Sequence, residues 1–308
     1  MPSTRRTTTL LAVTSAVLSL TLVGCGGSGS SSTSPSSAPA PAASSASADS
    51  KLIEMLPADV KESKKITVGT EALYPPYEYL DADGKTVIGL DMELLKGVTQ
   101  KLGITAEVTN TAFDGLLPGV ESDRYDLAWA AFSDTKARQA KFDFVDYFQA
   151  GQAIVVPSGN PNNIKAMTDL CGRGVSVLVS SAQESLLQAL NKKECASNQV
   201  KILSQQSDND ALLQVQSKRV DASFTQEPVG RYNASKIGGG KAFEVANTEA
   251  LYPTPLGVAF AKKDTQLRDA VQAALQSMID DGSYAAILKA RQLETGAVEK
   301  VTVNKATS

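Results

Sequence analysis

A short polar segment in the first half of the chain has the residue types that bind a carboxylate. Phe132 to Phe148 reads FSDTKARQAKFDFVDYF, and Arg138 follows the triplet Ser133-Asp134-Thr135. If Thr135 caps a short helix, Arg138 lies in its first turn, beside free backbone N–H groups and the positive helix end, which favours an anion. A guanidinium adds two parallel charge-assisted bonds to a carboxylate, which a lysine does not. Taken alone, the segment also fits a solvated surface arginine.

The composition of the chain excludes several other kinds of chemistry. The 308 residues carry 30 Lys+Arg against 33 Asp+Glu, a formal net charge of −3. No dense basic run follows the N-terminus, so we expect no nucleic-acid partner. With no histidine and three cysteines, the chain has neither a histidine-based zinc site nor a histidine-dependent catalytic triad. We expect no metal site and no cofactor.

The N-terminal residues resemble the export signal of a bacterial lipoprotein. Arg5-Arg6 precede an apolar run from Leu10 to Val23, which at 14 residues is short of the roughly 20 needed to span a bilayer. The run ends in Leu22-Val23-Gly24-Cys25, which resembles a lipobox and implies cleavage before Cys25 and lipidation of its thiol. An ordinary secretory signal with an incidental cysteine is the alternative. The double arginine leaves both the Sec and the twin-arginine export routes open.

The segment that follows Cys25 has the composition of a linker. Residues 26–50 are almost wholly Ser, Ala, Pro and Gly, which cannot bury enough apolar area to fold. We therefore expect residues 25–63 to be the lipidated cysteine and a flexible tether to the membrane.

Export also bears on the two cysteines that remain. Cys171 and Cys195 would lie in an oxidising compartment, so we expect a disulfide between them. Two free buried thiols are the alternative.

From Lys65 onward, apolar strands alternate with amphipathic helices. Strands are expected over residues 65–70, 104–109, 126–132, 152–156, 174–179, 200–204, 220–224 and 256–261. One helix is expected to begin after a cap at Asp91. Four more are expected over residues 181–193, 211–217, 266–281 and 284–291. Trp129 belongs either to the core or to a pocket wall. The alternation predicts α/β layers with mostly parallel sheets, and two such sets of about a hundred residues predict two lobes.

Four segments in order resemble a known family. They are GTEALYPPYEYLDADGK, IGLDMELLKGVTQKLG, AFDGLLPGVESDRYDLAWAAFSDTKARQAKFDFVDYFQAGQAIVV and RVDASFTQEPVGRY. Together they resemble family 3 of the bacterial extracellular solute-binding proteins, the polar amino-acid receptors of ABC importers. The resemblance implies a two-lobed periplasmic-binding-protein-like clamshell, each lobe a mostly parallel sheet flanked by helices, with the ligand in the cleft.

The resemblance also implies where the lobes begin and end. A signal peptide (1–24) and the tether (25–63) precede lobe one (64–151), lobe two (152–254), a return to lobe one (255–291) and a C-terminal tail (292–308). Two hinge crossings are expected, near residues 150–152 and 252–254.

In lobe one, the resemblance implies a carboxylate site and an apolar sandwich. Arg138 matches the residue that binds the α-carboxylate, helped by Ser133 and the backbone around Ala131. Tyr74 and Phe113 match the aromatic residues that hold the aliphatic part of the ligand.

The other implied ligand contacts include two departures from the family pattern. Glu71 matches an acidic position that contacts a polar or cationic side chain. Ser181 and Ala182 stand where a Ser/Thr pair meets the carboxylate, and Leu178 lies on the strand before them. Ala182 replaces the usual threonine, and Gln226 replaces the aspartate that neutralises the α-ammonium. The ligand therefore either lacks an ordinary α-ammonium or places its charge on Glu71.

The function expected from these observations is that of a lipid-anchored receptor. It would capture an amino acid or amino-acid-like zwitterion with a carboxylate by cleft closure, as a monomer on the extracellular face of the cytoplasmic membrane. Its partners would be an ABC permease and the permease's ATPase. A ligand-sensing module for a membrane partner is one alternative, and a dehydratase-like enzyme on the same fold is another. We expect no enzyme, because no nucleophile is paired with a base.

Overall fold

The computed structural model describes residues 48–306, so the predicted signal peptide and the predicted lipidation site Cys25 lie outside the described residues. The strands are β1 Lys65–Thr70, β2 Leu73–Tyr74, β3 Glu78–Leu80, β4 Val87–Ile88, β5 Thr105–Asn110, β6 Leu127–Ser133, β7 Phe142–Pro157, β8 Gly174–Leu178, β9 Lys201–Gln205, β10 Ala222–Gln226, β11 Phe243–Val245, β12 Leu251–Ala261 and β13 Thr302–Val303. The helices are α1 Ser50–Glu54, α2 Ala58–Ser63, α3 Leu90–Leu102, α4 Leu116–Glu121, α5 Lys136–Gln139, α6 Ala182–Lys192, α7 Asp208–Gln216, α8 Glu227–Lys236, α9 Thr265–Asp280 and α10 Ser283–Arg291.

Two sets of parallel strands are joined by a pair of long antiparallel strands. β1 pairs in parallel with β5 and β6, and β8 pairs in parallel with β9 and β10. Between the sets run β7 and β12, in the order β5-β1-β6-β12-β7-β10-β8-β9. The first set belongs to lobe one and the second to lobe two. This arrangement confirms the predicted α/β fold with two lobes.

Strand β7 is longer than the sequence pattern predicts. Residues 152–156 were expected to form a separate strand, but they are the second half of one continuous strand that starts at Phe142. Its first half contains two acidic residues, Asp143 and Asp146, which do not fit the apolar pattern of a buried strand. Both are nevertheless buried. Asp143 accepts hydrogen bonds from Lys262 at 2.6 Å and Arg268 at 2.5 Å, and these partners come from distant parts of the chain. The sequence pattern of residues 142–157 alone therefore does not reveal that these carboxylates have partners.

Each lobe has its own apolar core. In lobe one, Leu94, Val98 and Leu102 recur every four residues along α3, as a buried helix face requires, and all three are buried. The α3 helix packs closely on α9: a Cβ added at Gly97 would lie 2.3 Å from Met278 Cε. In lobe two the core forms between β8, β10 and α6.

The predicted tether, residues 25–63, is wrong in its last part, where α1 and α2 form. Leu52, Leu56 and Val60 recur every four residues and are buried in the core of lobe one. Asp49 caps α1 by accepting a hydrogen bond from the N–H of Lys51 at 2.9 Å. This short apolar face follows directly on the Ser/Ala-rich segment, whose composition hides it.

The predicted C-terminal tail, residues 292–308, packs on β7 in its described part. β13 pairs antiparallel with β7, Thr302 opposite Asp146. Beyond β13, the N–H of Ala306 donates to Asp134 Oδ2 at 2.9 Å. Ala306, the last described residue, therefore contacts the residue that precedes the cap of α5.

The predicted disulfide between Cys171 and Cys195 is confirmed. Their Cα atoms lie 5.2 Å apart across a sequence separation of 24 residues. Cys195 is buried in the core of lobe two, so the bond ties the start of β8 to the end of α6.

Replacing both cysteines, Cys171→Ala with Cys195→Ala, should lower the free energy of unfolding by about 3 to 4 kcal/mol, because the bond closes a loop of about 25 residues in the unfolded chain. Urea unfolding of a Cys25→Ser chain with and without this double change measures the effect. Dithiothreitol should destabilise the parent chain and leave the double variant unchanged. Equal urea midpoints of parent and double variant would contradict the prediction.

Candidate ligand-binding site

A small cavity lies between the two lobes. All the residues that the sequence predicted as ligand-binding line it except Glu71, and Ala130 and Gln183 line it as well. Its volume is about 10 Å³, roughly the space of one water molecule. Because the cavity is so small, the two lobes are in direct contact around it. Side chains of one lobe form hydrogen bonds with the backbone of the other.

Arg138 makes one of these contacts. Thr135 caps α5, its Oγ1 accepting from the N–H of Arg138 at 3.3 Å, so the predicted helix start is present. The guanidinium donates to the carbonyl of Ser133 in lobe one at 2.8 Å and to that of Ser180 in lobe two at 3.0 Å. Burial lowers the pKa of Arg138 to about 10, with Asp134 opposing the shift, so the group stays cationic at neutral pH.

Aromatic rings form the wall beneath Arg138. The Phe113 and Phe132 rings stack with their centroids 4.8 Å apart. The guanidinium carbon lies 5.7 Å from the Phe113 centroid and 5.3 Å from the Phe132 centroid, within the range of a cation–π contact. Leu178 of lobe two joins the same apolar cluster. The wall is therefore shared by both lobes.

Ala131 presents its backbone to the cavity in an unusual conformation. Its φ of 43° lies in the left-handed region, which costs a residue with a Cβ free energy. Asp91 holds it there: Oδ2 accepts from the N–H of Ala131 at 2.9 Å, and Oδ1 accepts from the Tyr147 hydroxyl at 2.6 Å. The carbonyl of Ala131 is thereby directed at lobe two.

The expected role of Asp91 as a helix cap is wrong. Gly89 precedes α3 with a φ of 132°, and a Cβ there would lie 2.0 Å from the carbonyl oxygen of Tyr77. Only glycine fits this position, which places Asp91 inside the first turn. Its buried carboxylate supports the cavity wall instead.

In lobe two, the start of α6 faces the cavity as the sequence predicted. Ser181 caps the helix, its Oγ accepting from the N–H of Glu184 at 3.1 Å, and Glu184 accepts in return from the N–H of Ser180 at 2.7 Å. Ala182 adds a methyl group to the lining. Gln183, which the sequence reading missed, donates to Gln152 Oε1 of β7 at 2.6 Å.

Tyr74 and Gln226 make the remaining contacts between the lobes. The Tyr74 hydroxyl lies 3.2 Å from Thr225 Oγ1 and accepts from the N–H of Gln226 at 3.3 Å. Gln226 Nε2 donates to the carbonyl of Ala131 at 2.8 Å. Because a carbonyl only accepts, the NH₂ of the amide must face it. Gln226 Oε1 is then a buried acceptor without a partner among the described residues.

Glu71 is placed differently from the prediction: it follows β1 but does not line the cavity. Its side chain is buried, and neither carboxylate oxygen has a partner within residues 48–306. Burial and the charge of Asp208 raise the pKa of Glu71 to about 8. Asp208, in the first turn of α7 in lobe two, accepts from Asn233 Nδ2 at 3.2 Å, and burial raises its pKa to about 6.

Trp129 belongs to the core and does not line the cavity. It is fully buried on β6, and its ring lies 5.4 Å from that of Tyr147. The open question from the sequence is thereby answered in favour of packing.

Two further observations concern the described residues as a whole. Within residues 48–306, no helix combines the length and the apolar character that crossing a membrane requires. The same residues contain no group of three or more Cys, Asp or Glu side chains arranged to hold a metal ion.

Comparison with known proteins shows what the chain is similar to. The L-cystine-binding protein TcyA of Bacillus subtilis is 30% identical to it over 75% of this chain and 82% of the relative. The structure of an ancestral arginine-binding protein bound to arginine has a TM-score of 0.69 and 31% identity, over 74% of this chain and 98% of that one. An ancestral amino acid-binding protein, AncCDT-1, described as a precursor of cyclohexadienyl dehydratase, has a TM-score of 0.67 and 28% identity, over 76% and 97%.

A protein-family model also matches this chain. The model of bacterial extracellular solute-binding proteins, family 3, matches residues 66–290, which include both lobes and every residue of the cavity. The two lobes with a cavity between them agree with that assignment. The chain therefore belongs to the bacterial extracellular solute-binding proteins of family 3.

Proposed function

We propose that this solute-binding protein captures an amino acid or amino-acid-like zwitterion and delivers it to an ABC permease and its ATPase. The observation that supports the ligand class is the bonding of Arg138. Its guanidinium donates to the backbone carbonyls of Ser133 and Ser180, one from each lobe. A ligand carboxylate that replaces the Ser180 carbonyl would gain charge-assisted bonds, which are roughly twice as strong as neutral ones.

Lobe opening is the first step of this mechanism. Pockets for small molecules usually have volumes of about 300–1,000 Å³, whereas this cavity has about 10 Å³. The contacts of Arg138, Tyr74 and Gln226 across the cleft must therefore break before a ligand enters. Ligand then shifts the equilibrium toward closure only by its greater affinity for the closed form.

The hinge of this motion lies where β7 and β12 pass between the lobes. Ala150 pairs with Thr254 and Gln152 with Leu251, and the register shifts between these pairs. A Cβ added at Gly151 would lie 2.4 Å from that of Ala250, so the two crossings are closely packed. We place the lobe boundaries at residues 151/152 and 254/255, as the sequence predicts.

The amino end of the ligand is the unusual part of the proposal. Gln226 offers a buried carbonyl oxygen but no charge. It would accept one hydrogen bond from an amide, a hydroxyl or a substituted amine without neutralising a primary ammonium. Two of the similar proteins named above bind cystine and arginine, so a ligand of that size and polarity fits the proposal.

The proposal also covers attachment and turnover. Lipidation at Cys25 would hold a monomeric receptor at the extracellular face of the cytoplasmic membrane. Binding without chemical change is the proposed outcome, because the hydroxyls of Ser133 and Ser181 in the cavity have no neighbouring histidine to act as a base. NMR of the ligand recovered after long incubation would reveal any turnover.

Arg138→Ala should abolish ligand binding and leave the fold intact, because the ligand carboxylate loses its charged partner. Arg138→Lys should also bind poorly, since a lysine keeps the charge but not the planar fork. Calorimetry with the tightest ligand from a thermal-shift screen measures both, with Lys136→Ala on the same helix as an exposed control. An Arg138→Ala affinity within about threefold of wild type, below 1 kcal/mol, would remove Arg138 from the site.

Gln226→Asp should weaken binding, because the new carboxylate would face the Ala131 carbonyl and lie buried without a partner. Gln226→Asn is the matched control, an amide of the same size as aspartate. Titration of all three proteins with the same ligand compares them. Tighter binding by the aspartate variant would contradict the prediction, because it would reveal a primary ammonium gaining a charge-assisted bond, worth roughly 1.5–3 kcal/mol against about 1 kcal/mol for a neutral one.

A further inference from the structure

The helix that carries Arg138 is too short to be stable by itself. The α5 helix has four residues, Lys136–Gln139, which is about one turn. Isolated helices shorter than about 12–15 residues are marginal in water, because few hydrogen bonds compensate for the cost of fixing the backbone. The position of the Arg138 guanidinium therefore depends on the contacts that hold this turn in lobe one.

Three residues form a closed set of hydrogen bonds behind the turn. The side-chain nitrogen Nε2 of Gln139 donates to Oδ1 and Oδ2 of Asp134, both at 2.8 Å, and to the carbonyl of Ala306 at 3.3 Å. The N–H of Ala306 in turn donates to Asp134 Oδ2 at 2.9 Å. Asp134 is 0% exposed and Gln139 is 9% exposed. We call Asp134, Gln139 and Ala306 the α5 support.

The α5 support joins the sequence neighbours of both partners in one bond of Arg138. The guanidinium donates to the carbonyl of Ser133 at 2.8 Å. Asp134 follows Ser133, and Gln139 follows Arg138. The bond between Asp134 and Gln139 and the bond between Ser133 and Arg138 therefore close the same short loop. A group that binds a ligand keeps its direction only when such supporting hydrogen bonds fix it.

Asp134 also places a buried negative charge close to Arg138. The salt bridges formed within residues 48–306 do not include Asp134. Its carboxylate is instead stabilised by the donors of Gln139 and Ala306. Burial lowers the pKa of Arg138, and the charge of Asp134 opposes that shift. The support thus favours the cationic form of the guanidinium as well as its position.

The C-terminal segment that supplies Ala306 is itself fixed on β7. Asn304 Oδ1 accepts from the N–H of Phe144 at 2.9 Å. The N–H of Lys305 donates to Asp146 Oδ2 at 2.9 Å. Ala306 is therefore held in place by its neighbours before it reaches the α5 support.

We propose that Asp134, Gln139 and Ala306 are positioning residues that hold the Arg138 guanidinium in the direction needed to bind the ligand carboxylate. The proposal rests on the proposed function, in which Arg138 binds that carboxylate. None of the three residues lines the cavity, so they act on ligand affinity through Arg138. The C-terminal segment therefore contributes to ligand affinity without contacting the ligand.

An exchange of groups within the support tests the proposal in the Cys25→Ser chain. Gln139→Glu places a second carboxylate against Asp134, and the two like charges repel each other. Adding Asp134→Asn restores one amide and one carboxylate in exchanged positions, so that the amide of residue 134 donates to the carboxylate of residue 139. Val98→Ala is the matched control, because it destabilises the core of lobe one without touching α5. Urea unfolding measures the stability of each protein.

The first readout is an NMR spectrum without ligand. A guanidinium held by a carbonyl rotates slowly, so Arg138 should give separate Nη signals in a ¹H–¹⁵N spectrum, assigned by their loss in Arg138→Lys. We expect these signals to broaden in Gln139→Glu, to return in the double variant and to persist in Val98→Ala. A folded Gln139→Glu protein with wild-type Arg138 signals would overturn the proposal. So would a wild-type spectrum without separate Nη signals of Arg138.

The second readout is the affinity for L-arginine and L-cystine, measured by calorimetry. Gln139→Glu should weaken the binding of either probe by about tenfold or more, and the double variant should return to within about threefold of wild type. Val98→Ala should keep the wild-type affinity. Equal losses in Gln139→Glu and Val98→Ala would overturn the positioning role, because affinity would then follow stability alone. If neither probe binds wild type, that result counts against the proposed function, and the ligand-free spectrum still decides the positioning role.

Two further variants keep the test decisive. If Gln139→Glu fails to fold, Gln139→Met serves in its place, because it removes the donors at a similar side-chain length and adds no charge. The same broadening of the Arg138 signals is expected. Ala306→Pro removes the N–H that donates to Asp134 and should also broaden them. Unchanged Arg138 signals in a folded Ala306→Pro protein would overturn the role of the C-terminal segment.

Discussion

The Arg138 guanidinium, bonded to one carbonyl from each lobe, is the interaction around which the cleft is built. The group is half-buried, and lobe one supplies one hydrogen-bond acceptor, the carbonyl of Ser133, beside the aromatic rings of Phe113 and Phe132. The remaining partner, the Ser180 carbonyl, comes from the start of α6. Three local features position the groups around this contact. They are a threonine cap on α5, a serine cap on α6 and a C-terminal segment that donates a hydrogen bond to Asp134.

The buried acids near the cleft have different surroundings. Arg138 is the cation of the cavity lining, and four acids that do not line the cavity are buried: Glu71, Glu78, Asp91 and Asp208. Asp91 is explained by its bonds to Ala131 and Tyr147, which keep the strained backbone of the cavity wall in place. Of the other three, Asp208 accepts a hydrogen bond from Asn233, whereas the carboxylate oxygens of Glu71 and Glu78 have no partner within residues 48–306, and burial raises the pKa of both groups.

Much of the fold and most of the cavity could be predicted from the sequence, because their signals are local. Strand and helix periodicity gave two lobes, and the capping motif at Ser181 was found at the expected helix start. Residues 50–63 and β13 were missed because a few apolar or polar residues become ordered only by packing on distant elements. The contact between α7 and β2 has no local signal at all, since it depends on how the two lobes face each other.

The single tryptophan of the chain turns this packing into an optical property. Trp129 is buried on β6, two residues before Ala131, and its ring packs on Tyr147, whose hydroxyl is bonded to Asp91. The same carboxylate binds the N–H of Ala131, and the carbonyl of Ala131 receives the hydrogen bond from Gln226 when the lobes meet. The indole therefore packs on one end of a chain of hydrogen bonds, from Tyr147 through Asp91 to Ala131, whose other end is the contact with Gln226 that the proposed opening breaks. Its fluorescence emission offers a label-free readout of the proposed lobe movement, from a single tryptophan and without an attached dye.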